Sequence, residues 1–207
     1  MIHTLDHMSE AEGAVLRAMF EARKHVFVDL LKWDIPVLAG TWELDQFDDR
    51  EATYLIISDG NGGHFASSRL LKTVGPHILG ELYPDLVDGE VPSGANILEI
   101  TRFCLDRSLR AAERRHARDR LVTALTAYAI EHGITAYTGV AEIGWFRQIA
   151  NFGWRCALLG LPRIVEGRTL VAMRIEIDHE TPELLAAGGI WTVPAWQPSG
   201  MAPELRA

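Results

Sequence analysis

The nine residues 97–105, Ile-Leu-Glu-Ile-Thr-Arg-Phe-Cys-Leu, constrain this chain more than any other stretch. Their apolar and β-branched character predicts a strand that is mostly buried. Yet the strand carries Glu99 and Arg102. Burying a charge without a partner costs several kcal/mol, so each must be paired or must face a cleft. Strict alternation sends positions i and i+3 to opposite faces. Either a β-bulge re-aims one of them, or they serve different sides of a sheet. Charged residues in a central strand flag a functional site, although structural ion pairs give the same sign.

The segments around it define the architecture. Residues 10–31 have helical periodicity, with Leu16, Met19, Phe20, Phe27 and Leu30 at threes and fours, behind a Ser9 cap with Glu12 at the capping-box spacing. Residues 34–50, with Pro36, Gly40 and several acids, read as a long loop. Residues 53–58 and 64–71 are strands joined by Asp59-Gly-Asn-Gly-Gly into a hairpin. Residues 78–86 read as a short helix. Residues 111–132 give the strongest helical signal, ended by Gly133. A strand at 136–140, a helix at 145–151 and strands at 154–158 and 169–177 follow. The order predicts one α/β (α+β) layered domain over residues 1–207, with a mixed, twisted sheet flanked by helices. Its core spans about residues 15–177, and 178–207 form a C-terminal tail.

A chain of 207 residues that is 48% hydrophobic and 23% charged suits an ordinary globule, not a disordered chain. The net charge of −8 argues against nucleic acid as a partner. Cys104 and Cys156 are too few for a disulfide framework, and the eight histidines show no metal-ligand spacing. The first fifteen residues hold no Lys or Arg, which speaks against a secretory signal. The charge-free stretch 184–203 is interrupted by Gly188, Gly189, Pro194 and Pro198, a poor membrane span. A cytoplasmic location without membrane insertion is expected. Against the acidic background, Arg107, Arg110, Arg114, Arg115, Arg118 and Arg120 form a basic island. It reads as a site for an anionic partner or as a solvated helix face.

Three clusters resist explanation by packing. In Arg23-x3-Phe27-x5-Trp33-Asp34, an aromatic wall with a cation beside it suits an adenine ring or a sulfonium, although Phe27 also fits a core position. Glu43-x-Asp45-x2-Asp48-Asp49 reads either as solvated loop acids or as carboxylates with a cation among them: a metal, a substrate ammonium or an arginine. Arginine is preferred, with Arg69 on the adjacent strand, and no metal site is expected. The third cluster is Glu99-Ile-Thr101-Arg102-Phe103-Cys104, in which Cys104 reads as an inert buried thiol.

With Ser68-Arg69-Leu70-Leu71-x-Thr73-x-Gly75-Pro76-x2-Leu79 added, these blocks resemble the LuxI-type acyl-homoserine-lactone synthases, which make quorum-sensing autoinducers. The resemblance covers about residues 15–177. It implies a fold similar to the GNAT-type N-acyltransferases. It also implies a reaction in which the amine of S-adenosylmethionine attacks an acyl thioester on acyl carrier protein or coenzyme A. The methionyl carboxylate then displaces 5′-methylthioadenosine and closes the lactone. S-adenosylmethionine is a substrate, and no cofactor is implied.

Carried over position by position, the resemblance assigns Arg23, Phe27, Trp33, Thr101 and Phe103 to the S-adenosylmethionine pocket. Asp45, Asp48, Arg69, Glu99 and Arg102 form the charged network around the reacting groups, with Glu99 as general base. Val140, Ala141, Glu142 and Trp145 would lie near the acyl chain, and Arg110, Arg114, Arg115 and Arg118 near the pantetheine arm. Ala141 and Glu142 stand where many members carry threonines, which removes the basis for expecting a 3-oxo acyl group. The alternative is a GNAT-type acetyltransferase acting on another amine. Its phosphate-binding glycine turn is missing, because residues 108–116 contain no glycine.

Overall fold

In the computed structural model, residues 1–5, 13–59 and 61–192 are described. The expected Ser9 cap with Glu12, the helix start at Glu10 and the turn residue Gly60 lie outside them. The elements are β1 (Ile2–Leu5), α1 (Gly13–Arg23), a π-helical turn (Lys24–Leu30), β2 (Val37–Leu38) and β3 (Trp42–Glu43). β4 (Thr53–Ser58), β5 (His64–Lys72), α2 (Ile78–Leu82), a 3₁₀ turn (Pro84–Leu86) and β6 (Ile97–Leu105) follow. Then come α3 (Ala111–Glu131), β7 (Ala136–Glu142), α4 (Ile143–Ala150), β8 (Arg155–Leu158), β9 (Arg163–Val165), β10 (Arg168–Glu176) and α5 (Thr181–Ala187).

The large sheet runs β1-β4-β5-β6-β7-β10-β8, with β9 paired to the start of β10. Alternation along β4 shows how its layers form. Leu55 and Ile57 pack with Leu121, Val122 and Leu125 of α3, whereas Tyr54 and Ile56 pack with Leu16 and Met19 of α1. Helices cover both faces, so β4 reads as a continuous apolar run. Asp59 turns the β4–β5 hairpin by accepting the backbone N–H groups of Asn61 and Gly63 at 2.7 and 2.9 Å.

Every strand pairing among the described residues is antiparallel except β6–β7. Their connection contains α3, as a parallel neighbour requires. The parallel pairing covers only Ile97–Glu99 against Ala136–Thr138. Beyond it the two strands separate and leave a fork. Gly139 stands at the crotch, where an added Cβ would lie 3.1 Å from the Ile100 carbonyl oxygen and 3.2 Å from Met173 Cε.

On its other side β6 carries a bulge. Ser67 pairs with Cys104 and Arg69 with Thr101, so Arg102 and Phe103 together oppose Ser68. Arg102 takes φ +51°, the left-handed region. Of the two alternatives open for Glu99 and Arg102, this is the bulge.

Other differences from the expected elements have local causes. The first helix leaves α geometry after Arg23 and widens into the π turn. Pro84 disfavours helix at Tyr83 and splits the 78–86 segment in two. The expected loop 34–50 contains the β2–β3 hairpin. The core reaches beyond the expected 15–177, to Ile2 on β1 and to Leu185 and Ile190 at the other end. Replacing Gly139 by Val should cost about 1–3 kcal/mol through overpacking at the fork, read as a lower urea midpoint with an unchanged m-value.

Candidate active site

Six charged side chains from four distant segments meet beneath the fork. Arg23 ends α1, Glu43 ends β3, and Asp45 and Asp48 follow in the next loop. Arg69 lies in β5, and Arg102 lies at the β6 bulge. The Arg23 Nε donates to Glu43 at 2.5 Å, and its two terminal nitrogens grip Asp48 at 2.8 Å each. Arg69 donates to Asp45 at 2.6 and 3.1 Å and lies 2.8 Å from Asp48. Arg102 donates to Glu43 at 3.0 Å and to Asp45 at 2.6 Å. Three guanidiniums thus balance three carboxylates, all of them at most 9% exposed.

The carboxylate oxygens of Glu43, Asp45 and Asp48 approach within 4.8 Å of one another, close enough for a metal ion. The three arginines already supply the cations, as the sequence-based preference for Arg69 anticipated. Burial alone would raise the Asp48 pKa, but Arg23 and Arg69 hold its carboxyl well below the usual carboxylate range. The Tyr54 hydroxyl donates to Asp48 at 2.8 Å, and burial together with that neighbouring charge keeps the phenol protonated.

The π turn builds the aromatic wall. After this wider turn the backbone N–H of Trp33 donates to the Phe27 carbonyl at 2.9 Å, and the two rings stack 4.8 Å apart and 23° from parallel. The Arg102 guanidinium lies 5.6 Å from the Phe27 ring centre and 5.8 Å from that of Trp33. The same arginine therefore joins the aromatic wall to the ion network.

Glu99 sits just before the fork. Its two carboxylate oxygens accept the backbone N–H groups of Ile78 and Leu79 at 2.7 and 2.8 Å. Burial pushes this carboxyl above its ordinary value, against the pull of His77, those two N–H groups and Arg69. A buried acid so shifted suits proton transfer.

Two cavities meet at the fork. One, of about 520 Å³, is the more polar of the two and is bounded by Trp33, Asp34, Asp45, Glu99, Thr101 and Arg102. The other, of about 390 Å³, is apolar and runs past Phe27, Phe103, Trp145, Ile149, Phe152 and Trp154 toward Met173. Trp33, Ile100, Thr101, Arg102, Val140, Ala141 and Glu142 border both. Phe103 and Trp145 face each other across 5.5 Å in the apolar cavity.

The expected site residues therefore divide by role. Asp45, Glu99, Thr101, Arg102 and Trp33 line the polar cavity, whereas Phe27 and Phe103, expected beside the S-adenosylmethionine, border the apolar cavity with Trp145. Arg23, Asp48 and Arg69 line neither; they brace the wall from behind, and the Arg69 Nε donates to Thr101 Oγ1 at 2.9 Å. Of the basic island, Arg114 borders the apolar cavity together with Arg107, which the island contained but the expected docking set omitted. Arg110 caps α3 and Arg115 is exposed, whereas Arg118 pairs with Asp119 and lies 5.0 Å over Phe152. Arg118 is thus engaged within the molecule. Cys104 is buried behind Phe27, and burial pushes its thiol well up, which makes it inert. Arg168, at the rim of the polar cavity, had no signal in the sequence.

Residues 7–185 match the profile of the autoinducer synthase family. The chain belongs to that family. An acyl-homoserine-lactone synthase of Agrobacterium fabrum is 28% identical over 192 residues, covering 89% of this chain and 90% of the relative. Among solved structures, a CoA-dependent acyl-homoserine lactone synthase with SAM and isopentyl-CoA superposes with a TM-score of 0.86 at 25% identity, covering 99% of this chain and 95% of the other. A putative N-acetyltransferase from Lactobacillus plantarum, with a TM-score of 0.59 at 18% identity, covering 86% of this chain and 98% of the other, shares the fold.

In this autoinducer synthase, Asp48→Asn would leave Arg23 and Arg69 under-compensated in the interior. Chemical denaturation at pH 7 should show a loss of about 3–5 kcal/mol. The Asp48 carboxyl ionises below its unfolded value of about 3.9, so its contribution is complete above that pH and is lost as pH falls toward the folded value. The deficit of the variant should accordingly shrink in acid.

Proposed function

We propose that this enzyme acylates the amine of S-adenosylmethionine with an acyl thioester and then closes the lactone, releasing 5′-methylthioadenosine. The observation that carries the reading is the junction at the fork: a polar, acid-lined cavity opens beside Glu99 into an apolar one. The stacked Trp33–Phe27 pair suits the nucleotide and its sulfonium, whose positive charge the surrounding carboxylates favour. The apolar cavity suits the acyl chain. The relative solved with SAM and isopentyl-CoA supports both assignments.

Glu99 takes a proton from the methionyl ammonium, and the freed amine attacks the thioester carbonyl. Backbone N–H groups on the separated strand edges serve the developing oxyanion. As the tetrahedral adduct collapses, its C–S bond breaks and the departing thiolate takes the second proton from nitrogen, which leaves a neutral amide, while the proton held by Glu99 passes to solvent. A carboxylate oxygen then attacks the γ-carbon, and the C–S electron pair leaves with a sulfur that becomes neutral. That departure requires no acid, and no cofactor takes part. Asp45 and Arg102, at the cavity wall, orient the ammonium and the carboxylate.

Arg107 and Arg114 at the apolar cavity suit the phosphate of a phosphopantetheine arm, which acyl carrier protein and coenzyme A share. The acetyltransferase alternative is disfavoured by the autoinducer synthase profile that residues 7–185 match. A reducing, cytoplasmic setting belongs to the same proposal and accords with two free cysteines.

Incubation of the purified enzyme with S-adenosylmethionine and separate acyl-CoA and acyl-carrier donors should release methylthioadenosine and an N-acyl-homoserine lactone, identified by mass spectrometry. A product lacking the homoserine-lactone fragment would refute the reading. Glu99→Gln should lower turnover at least about tenfold while S-adenosylmethionine still binds. Reversing Arg107 and Arg114 to Glu should raise the donor KM about tenfold and flatten its salt dependence.

A further inference from the structure

The chain emerging from the π turn adopts an uncomfortable path. Lys32 takes φ +57°, a left-handed conformation that a side chain disfavours. Such a conformation persists only where its surroundings over-determine it. From one side the turn is closed by its own backbone: the Leu31 N–H donates to the Val26 carbonyl at 3.0 Å, and Trp33 to Phe27 at 2.9 Å. From the other side a single side chain closes it. Arg168 donates to the Leu31 carbonyl at 2.9 Å and makes a longer contact to the Lys32 carbonyl at 3.4 Å. The same guanidinium lies 5.6 Å from the Trp33 ring centre.

Arg168 is well placed for this. It is the first residue of β10, directly after the Glu166–Gly167 turn, whose φ values of +50° and +77° suit a tight hairpin to β9. Glu142, on the neighbouring strand β7, steadies the free arm of the guanidinium at 3.6 Å. The side chain is 33% exposed, unlike the buried arginines of the network, and it borders the polar cavity beside Lys32, Trp33 and Glu142. It is not needed to neutralise the interior. Its bonds instead join a rigid strand to a loop 137 residues away in sequence.

We infer that Arg168 is a positioning residue, which fastens the Leu31–Trp33 loop across the polar cavity so that the indole is in place before the sulfonium nucleotide arrives. The inference rests on the assignment of that cavity to S-adenosylmethionine. Without the clasp, binding must order the loop, and affinity falls, because preorganisation lowers the entropic cost of association. Glu99 and its two backbone donors lie on other elements, so chemistry on the bound substrate is less affected.

Steady-state kinetics and trypsin susceptibility test this on the full chain. Arg168→Ala should raise the KM for S-adenosylmethionine on the order of tenfold while kcat changes less than about threefold. Arg168→Lys should recover only part of the loss, because an ammonium cannot span both carbonyls and the ring face. Arg163→Ala, which removes an exposed cation from the same hairpin, should match the parent. In the absence of substrate, trypsin should cut after Lys32 several times faster in Arg168→Ala than in the parent or Arg163→Ala, followed by mass spectrometry of the released peptide. An unchanged KM in Arg168→Ala, full recovery by Lys, or equal cleavage at Lys32 would overturn the inference. A parent enzyme that does not consume S-adenosylmethionine would defeat the proposed function instead, and the cleavage comparison would still decide whether Arg168 holds the loop.

Discussion

Charge neutrality in a dry place governs this molecule. Arg23, Arg69 and Arg102 cannot be buried singly, and neither can Glu43, Asp45 or Asp48. Each ion is tolerable only because two or more others come within bonding distance. That requirement ties α1, the β3 loop, β5 and β6 together more specifically than apolar packing can. An apolar core of the same volume would hold these elements as well, but with the network in place the loss of any one partner leaves an uncompensated buried charge. One face of the network is presented to the polar cavity, and the site inherits its geometry from this bracing.

The second determinant is the parallel pairing of β6 and β7, the one such pairing among the described residues, in a sheet otherwise antiparallel there. Because β6 and β7 pair for only three residues before they part, the sheet opens from within, and neither cavity requires a separate domain or a long lid. Backbone groups on the parted edges, left without ladder partners, become available to substrate. The close approach at Gly139 marks where pairing ends and the opening starts.

Much of this could be read from residues alone, because the strongest signals were conflicts. Glu99 and Arg102 at odd spacing in an apolar strand left two readings, a bulge or service on opposite faces, and the structure has the bulge at Arg102. The acids after Glu43 pointed to a cation among them, arginine by preference, and arginines hold that place. The strands of the central sheet were legible because burial on both faces makes them apolar runs. What stayed hidden was non-local or geometrically subtle. The shift from α to π geometry after Arg23 leaves no compositional mark, since a π segment of 7 residues is too short to establish a period of its own. β1, β9 and the β2–β3 hairpin are too short for a pattern. Arg168 could not be singled out, because its meaning lies in two carbonyls far away in sequence. Arg118 shows the reverse: an arginine within a basic run reads as a docking cation until its aspartate and its phenylalanine are seen.

The β6 bulge has one further consequence. It makes adjacent residues serve different chambers, with Arg102 reaching the ion network and Phe103 turned toward the apolar side. Parity along the strand is thereby fixed at one point, and insertion or deletion of a single residue would exchange the two roles. Changes in strand length are therefore closed to this scaffold as a means of altering what it accepts. Diversification of the acyl group must instead proceed by exchanging side chains at fixed positions such as Phe103 and Trp145, which can vary in bulk while their neighbours stay in register.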